Sequence, residues 1–373
     1  MIGKKFSGRL ALQQRVLPHY RAPFFDTLAS ACEGGMSLFA GDSRAVEHIS
    51  TSKNLSVAEY THAKNRHLLS GSFYFCHQEK IINWLENTNP DALIVEANPR
   101  YLSTPSAINW MRARNHPVIG WGLGAPQRAG VLAGLQKKNW MRFLNKFDAL
   151  IAYSQRGADD YAALNIPQEK IFVAHNSVAL KPKGEMLQRP LYKANEPLII
   201  LFVGRLQARK RLDNLIQAFK RMSEDLMLRL WIVGDGPERD HLENLASGMT
   251  SGEIPKIQFL GKRHGAELNL VWREADIFVL PGTGGLSVQE AMSHALPVIV
   301  AQGDGTQDDL VQSKNGWLIP PDNLDALTIS LEDAVSDILR LRKMGAESWR
   351  IISEEVNVEK MVDVFIDALT QTA

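Results

Sequence analysis

From residue 198 onward, short apolar runs that end in glycine alternate with segments whose apolar residues recur at helical spacing. LIILFVG (198–204) precedes RLDNLIQAFKRM, MLRLWIVG (227–234) precedes PERDHLENLA, and IQFLG (257–261) precedes AELNLVWREA. IFVLPG (277–282) precedes LSVQEAMSHA, and PVIVA (297–301) follows. Strands this uniformly apolar are buried on both faces, and the helices between them make right-handed βαβ crossovers. The expectation is an α/β fold built on a doubly wound parallel sheet. The first half repeats the pattern less sharply, with candidate strands near Leu10–Leu17, Met36–Phe39, Ala92–Glu96, Val118–Gly122 and Ala149–Ser154, and a last one, IFVAHN, ending at Asn176.

Residues 181–197 carry three prolines and no periodicity, which predicts a linker. The expected organisation is an N-terminal Rossmann-like domain over 1–180, a second over 198–355, and a C-terminal helix over 356–373 that returns to the first. Amphipathic stretches over Leu324–Leu341 and Val358–Leu369 follow the Pro320-Pro321 pair. Open parallel sheets bind ligands beyond the carboxyl ends of their strands, so the expected site is a cleft lined by residues just after each strand.

Composition narrows the class. With 373 residues, 22% charged and 45% hydrophobic, the chain has ordinary globular cores and is not disordered or fibrous. A formal charge of +1 speaks against a protein that lives by neutralising nucleic-acid phosphates. The charge is unevenly spread, with 20 Lys/Arg against 13 Asp/Glu in residues 1–180 and 22 against 28 in the remainder. Cys32 and Cys76 are the two cysteines and form no C-x-x-C, so neither a disulfide framework nor a zinc site is expected and a reducing, cytoplasmic setting fits. No apolar signal core and no run of about 18 apolar residues occurs.

Two segments carry chemistry. Gly204-Arg205-Leu206-Gln207-Ala208-Arg209-Lys210-Arg211 joins a strand to a helix, where Arg205 and Lys210 can converge on a diphosphate. Pro281-Gly282-Thr283-Gly284-Gly285-Leu286-Ser287-Val288-Gln289-Glu290 runs from a strand through a Gly-rich turn into a helix, leaving amides at Gly285, Leu286, Ser287 and Val288 for a second anion cradle. Glu290, one turn in, can accept hydrogen bonds from vicinal ribose hydroxyls. The bland alternatives are a solvated basic loop and a carboxylate that compensates the helix dipole. No D-x-D, H-E-x-x-H or ligand-spaced cluster occurs, so metal-dependent diphosphate binding is not expected.

FVGRLQARKRLDNLIQAF, LWIVGDGPERDHLENLA, IQFLGKR, ADIFVLPGTGGLSVQEAMSHALPVIV and NGWLIPP together resemble the donor domain of the retaining glycosyltransferases of family 4, with the GT-B fold. The resemblance is close over 198–321 and looser through AYSQRGADDYAALNIPQEKIFVAHNSV. It implies two Rossmann-like domains facing across a cleft, no cofactor or metal, and transfer from a UDP- or GDP-sugar to a hydroxyl of a glycan or lipid-linked acceptor with retention. It implies that Arg205 and Lys210 hold the diphosphate, that Glu290 is the second acidic residue of the family's E-x7-E element, and that Lys262 and Arg263 lie by the base. Gly282 stands where that element has its first carboxylate.

The N-terminal half should supply the acceptor surface. Candidates are His19 and Arg21 after the first strand, Glu96 at the end of DALIVE, and Trp121, Gly122 and Gly124 in WGLGAP, which lacks the third glycine of a dinucleotide fingerprint. The family's usual histidine after this strand is absent, Trp121 standing there instead. The rivals are a non-catalytic GT-B subunit, favoured by Gly282, and a sugar-nucleotide epimerase or phosphorylase of the same fold. Residues 128–146 place Arg128, Lys137, Lys138, Arg142 and Lys146 beside Leu132, Leu135, Trp140, Phe143 and Leu144. Such a helix suits peripheral attachment to an anionic membrane on its cytoplasmic face; the alternative is an ordinary helix with its apolar stripe in the core.

Overall fold

The computed structural model describes residues 3–47, 50–52, 54–125, 133–191, 196–222, 226–248, 250–251, 254–284 and 286–373. The chain divides into two compact units, one of residues 1–180 and 357–373, the other of 181–356.

The first unit opens with β1 (Leu10–Val16), α1 (Ala22–Ser30), β2 (Met36–Gly41) and β3 (Glu59–Ala63). An antiparallel hairpin, β4 (Asn65–Leu68) with β5 (Phe75–Gln78), comes next. The βα alternation resumes through α2 (Ile81–Thr88), β6 (Ala92–Glu96), α3 (Thr104–Arg112), β7 (Val118–Gly122), α4 (Ala133–Leu144), β8 (Ala149–Ala152), α5 (Gln155–Ala162) and β9 (Ile171–Val173). The parallel sheet has the order β3-β2-β1-β6-β7-β8-β9, so the winding reverses between β1 and β6.

The second unit runs β10 (Leu198–Val203), α6 (Leu212–Arg221), β11 (Leu228–Val233), α7 (Arg239–Ala246), a two-residue hairpin of β12 (Thr250–Ser251) and β13 (Ile254–Pro255), and β14 (Ile257–Gly261). It continues with α8 (Gly265–Glu274), β15 (Ile277–Leu280), α9 (Leu286–Ser293), β16 (Val298–Ala301), β17 (Gly316–Ile319), α10 (Leu324–Ser336) and α11 (Ile338–Glu354). Its order, β14-β11-β10-β15-β16-β17, reverses between β10 and β15. The doubly wound α/β architecture expected from the sequence is present in both units.

The stretch over Leu324–Leu341 divides at Asp337, whose extended backbone and carboxylate, accepting from the Arg340 amide at 2.9 Å, cap α11. The last helix, α12 (Val358–Thr372), packs in the first unit: Phe365 meets Phe24 and Trp121 at centroid distances of 5.0 Å each. Its start is tied by the Val358 amide to the Ala179 carbonyl.

Two stretches singled out in the sequence show these contacts. Within the expected linker, which falls in the second unit from Lys181, the Arg189 guanidinium donates to the carbonyls of Trp272, Ala275, His294 and Ala295, at the carboxyl ends of α8 and α9. Two helix dipoles stabilise its charge there beside Asp276 and Glu274, while burial, then neighbouring Arg342, lowers its pKa to about 10. The apolar stripe of α4 faces the core, with Phe143 and Leu144 buried and Trp140 and Met141 packed against the same cluster, which leaves Lys137, Lys138 and Arg142 as a solvated basic face. Arg128 and Leu132 lie outside the described residues. Among the described residues no helix is long and apolar enough to cross a membrane.

Candidate active site

At the switch point of the second unit, β10 ends on Gly204, whose amide still bonds the Val233 carbonyl, and the chain leaves the sheet into Arg205. Arg205 is exposed and has no partner among the described residues. The loop then tightens into a 3₁₀ turn, Ala208–Lys210, that folds Lys210 inward until it is 6% exposed. Its Nζ donates to the Gly284 carbonyl at 2.6 Å, across 74 positions of sequence. Burial, then the neighbouring Arg209, lowers the Lys210 pKa to about 8.

The turn after β15 is fitted to this lysine. Thr283 and Arg209 exchange hydrogen bonds, amide to carbonyl at 3.0 Å and guanidinium to carbonyl at 3.1 Å. Gly282 packs so closely that a Cβ there would lie 2.3 Å from the Arg209 carbonyl oxygen, and a Cβ on Gly284, at φ +101°, would strike the Lys210 ammonium at 2.8 Å. Buried Gln307 closes the arrangement, accepting from the Gly284 amide at 3.0 Å and donating to the carbonyls of Gly282 and Ala301.

The rest of the site is open. The Glu290 side chain is exposed and has no partner among the described residues. Leu286 and Ser287 are half-buried in the first turn of α9, where amides lack intrahelical partners, whereas the Val288 side chain is fully buried. Gly285 lies outside the described residues. Lys262 pairs with Asp235 at 3.3 Å and Arg263 with Glu267 at 3.8 Å, both on the surface. The loop after β10 thus carries a buried cation, Lys210 on the Gly284 carbonyl, and an exposed one, Arg205. Gln307 and the Gly284 carbonyl escape sequence reasoning, because their roles depend on loops that meet only in the folded sheet.

In the first unit the candidates separate. His19 is exposed, its amide donating to the Ser50 carbonyl at 2.9 Å. Arg21 is buried, donating to Asn176 Oδ1 and to the Ser177 carbonyl at 3.2 Å, with its guanidinium 5.6 Å from the Trp121 ring and 5.8 Å from that of Tyr153. Burial lowers its pKa. The Trp121 ring is core, packed on Phe24, Tyr153 and Phe365, so it lines no surface. Gly122 and Gly124 serve packing as well: a Cβ on the first would meet the Tyr161 hydroxyl at 2.8 Å and on the second the Gly157 Cα at 2.8 Å. Glu96 does sit at a strand end, beside the switch between β1 and β6, accepting from the Arg15 amide at 2.9 Å and from the Tyr101 hydroxyl. Burial outweighs these bonds and raises its pKa. Next to it, Glu47 bridges Arg15 at 2.9 Å and Arg44 at 2.8 Å, a pairing that sequence spacing does not reveal.

Two doubly wound units with the C-terminal helix returned to the first define the GT-B fold, and solved structures agree. HepE of Anabaena in complex with UDP aligns with a TM-score of 0.68 over 97% of this chain and 99% of that one, at 16% identity. Residues 197–337 match the family described as Glycosyl transferases group 1. An uncharacterized glycosyltransferase of Methanocaldococcus jannaschii is 28% identical over 59% of this chain and 62% of its own length. A GDP-mannose-dependent alpha-mannosyltransferase of Mycolicibacterium smegmatis is 27% identical over 69% of this chain and 67% of its own. The matches thus span about three fifths to two thirds of these curated relatives.

Proposed function

We propose that the protein is a glycosyltransferase that moves a sugar from a nucleoside-diphosphate sugar to a hydroxyl of a glycan or lipid-linked acceptor, with retention, as in family 4. The observation that carries this is Lys210, buried against a Gly-rich turn with Arg205 unpaired on the same loop. Cleaving the bond between sugar and diphosphate develops negative charge on the leaving group, and fixed cations in a water-poor site stabilise it. Arg205 and Lys210 take that role. The free amides of Leu286, Ser287 and Val288, with Gly285, extend the anion cradle, and Glu290 holds the ribose. Lys262 and Arg263 stand by the base.

A bound diphosphate would offer the Lys210 ammonium an anion in place of the Gly284 carbonyl. On the acceptor side, His19 and Glu96 remain the side chains at the strand ends of the first unit, whereas Arg21 acts from beneath by holding Asn176 and Ser177. With retention, the leaving phosphate itself takes the acceptor proton on the same face, so no protein nucleophile is required.

One observation favours a non-catalytic, sugar-nucleotide-binding subunit: Gly282 stands at the first acidic position of E-x7-E. The packing gives that glycine another meaning, since any side chain there would displace the Lys210 loop. A thermal-shift screen with UDP, GDP and the matching sugar nucleotides tests donor binding, and release of free sugar or transfer product tests catalysis. Stabilisation by a nucleotide without turnover of any UDP- or GDP-sugar selects the subunit reading; no stabilisation by any of them removes both.

A further inference from the structure

Arg209 stands on the loop between β10 and α6 with no role yet in the proposed donor site. It is exposed, and its guanidinium is fixed at two points: Nε donates to Gln207 Oε1 at 3.2 Å and Nη1 to the Thr283 carbonyl at 3.1 Å. Nη2 has no partner among the described residues. A Cβ built on Gly284 would lie 2.7 Å from Arg209 Nη1 and 2.8 Å from Lys210 Nζ, so the two cations converge on one point beside the turn after β15. Like charges held this close destabilise each other until an anion joins them. Among the described residues no carboxylate pairs with Arg205, Arg209 or Lys210. The acidic position of E-x7-E that borders this point is Gly282, and the Arg209 backbone takes the room a side chain would need there, its carbonyl oxygen 2.3 Å from the Cβ position. The turn therefore presents a guanidinium where that element has a carboxylate.

We infer that the sugar moved by this protein is a hexuronic acid, whose carboxylate Arg209 binds. The inference rests on the donor site proposed above and names the sugar that this site takes. Charge and shape select the ligand. The diphosphate of a sugar nucleotide carries one negative charge per phosphate, which Arg205 and Lys210 match, so Arg209 is a surplus cation beside them. The sugar is bonded to the distal phosphate, and a group on its ring is what reaches a cation next to the diphosphate lysine. The planar guanidinium, anchored through Nε and Nη1, offers its free Nη2 edge to a carboxylate in a fixed plane. A neutral hexose would leave this charge unopposed.

Isothermal titration of the full chain near neutral pH with UDP, UDP-glucose and UDP-glucuronic acid, and with GDP, GDP-mannose and GDP-mannuronic acid, tests the assignment. On whichever base is accepted, the expected result is binding of the uronate at least tenfold tighter than of the neutral sugar nucleotide. Arg209→Gln should remove that margin and change the affinity for the bare nucleoside diphosphate less than threefold. Equal affinity of the unaltered protein for the uronate and the neutral donor overturns the inference with no variant needed. So does an Arg209→Gln loss as large for UDP or GDP as for the uronate, because Arg209 then serves the diphosphate. Failure of every nucleotide to bind removes the donor site itself and this inference with it, a result distinct from a site that binds nucleotides and ignores the carboxylate.

Discussion

Lys210 is a cation stored in an unfavourable place, and its behaviour follows from that. Its pKa of about 8 means that the ammonium is present below pH 8 and lost as pH rises through it. A diphosphate stabilises the charged form, so donor affinity is full below that pH and weakens above it by up to tenfold per unit. Isothermal titration of nucleoside diphosphate from about pH 7 to 9.5 checks this; a flat profile contradicts it. If Arg205 and Lys210 hold the leaving diphosphate as proposed, Arg205→Ala and Lys210→Ala should each lower kcat/KM by about 10² to 10³, on the order of 3 to 4 kcal/mol. Gly282→Glu places a carboxylate at the family position, yet its Cβ would fall 2.3 Å from the Arg209 carbonyl. It should therefore lower both Tm and activity, and a gain in turnover would show that the loop yields. The absent carboxylate is legible at Gly282 in the sequence; its steric cause is not, because the Arg209 and Lys210 backbones arrive from 72 positions away.

Among elements, the turn after β15 depends on one side chain. Gln307 holds the Gly282 and Ala301 carbonyls and the Gly284 amide from a buried position. Gln307→Ala leaves buried backbone groups unpaired, a cost of about 1 to 3 kcal/mol. The expected kinetic signature is a donor KM raised more than kcat is lowered; an unchanged KM would mean that the turn holds without it. Five strands of the second unit are legible because β10, β11, β14 and β15 are apolar runs ended by glycine or proline and β16 is an apolar run that follows Pro297. β3 was not, because an edge strand reading Glu-Tyr-Thr-His-Ala is half exposed and shows no buried pattern. Strand β17 escaped as well: four residues, Gly316–Ile319, stand out as a motif before they stand out as a strand. Trp121 illustrates a different limit. Its place at the end of β7 was legible, but not that its ring turns into the core against Phe365, a contact made by a helix more than 230 positions later.

For the whole molecule, the first unit is discontinuous in sequence, since α12 supplies part of its core. Val358, Met361, Val362, Phe365, Ile366 and Leu369 are buried in the same cluster as Phe24, Phe25, Leu28 and Trp121. Phe365→Ala should cost about 3 to 5 kcal/mol, read as a lowered denaturation midpoint. Deleting residues 357–373 should leave the second unit able to bind nucleotide while the first exposes Phe24 and Trp121 and aggregates; a soluble, monomeric truncation would show that the first unit closes without α12. During synthesis, the ribosome makes residues 1–180 first, but their core must wait for the final helix. The inner unit, made later, holds all its own parts sooner. At about 5 to 20 residues per second, the delay between Leu180 and Val358 is on the order of 10 to 35 seconds. Throughout it the nascent N-terminal half carries an unfilled apolar groove, a predicted site for chaperone engagement on a chain whose finished form conceals it.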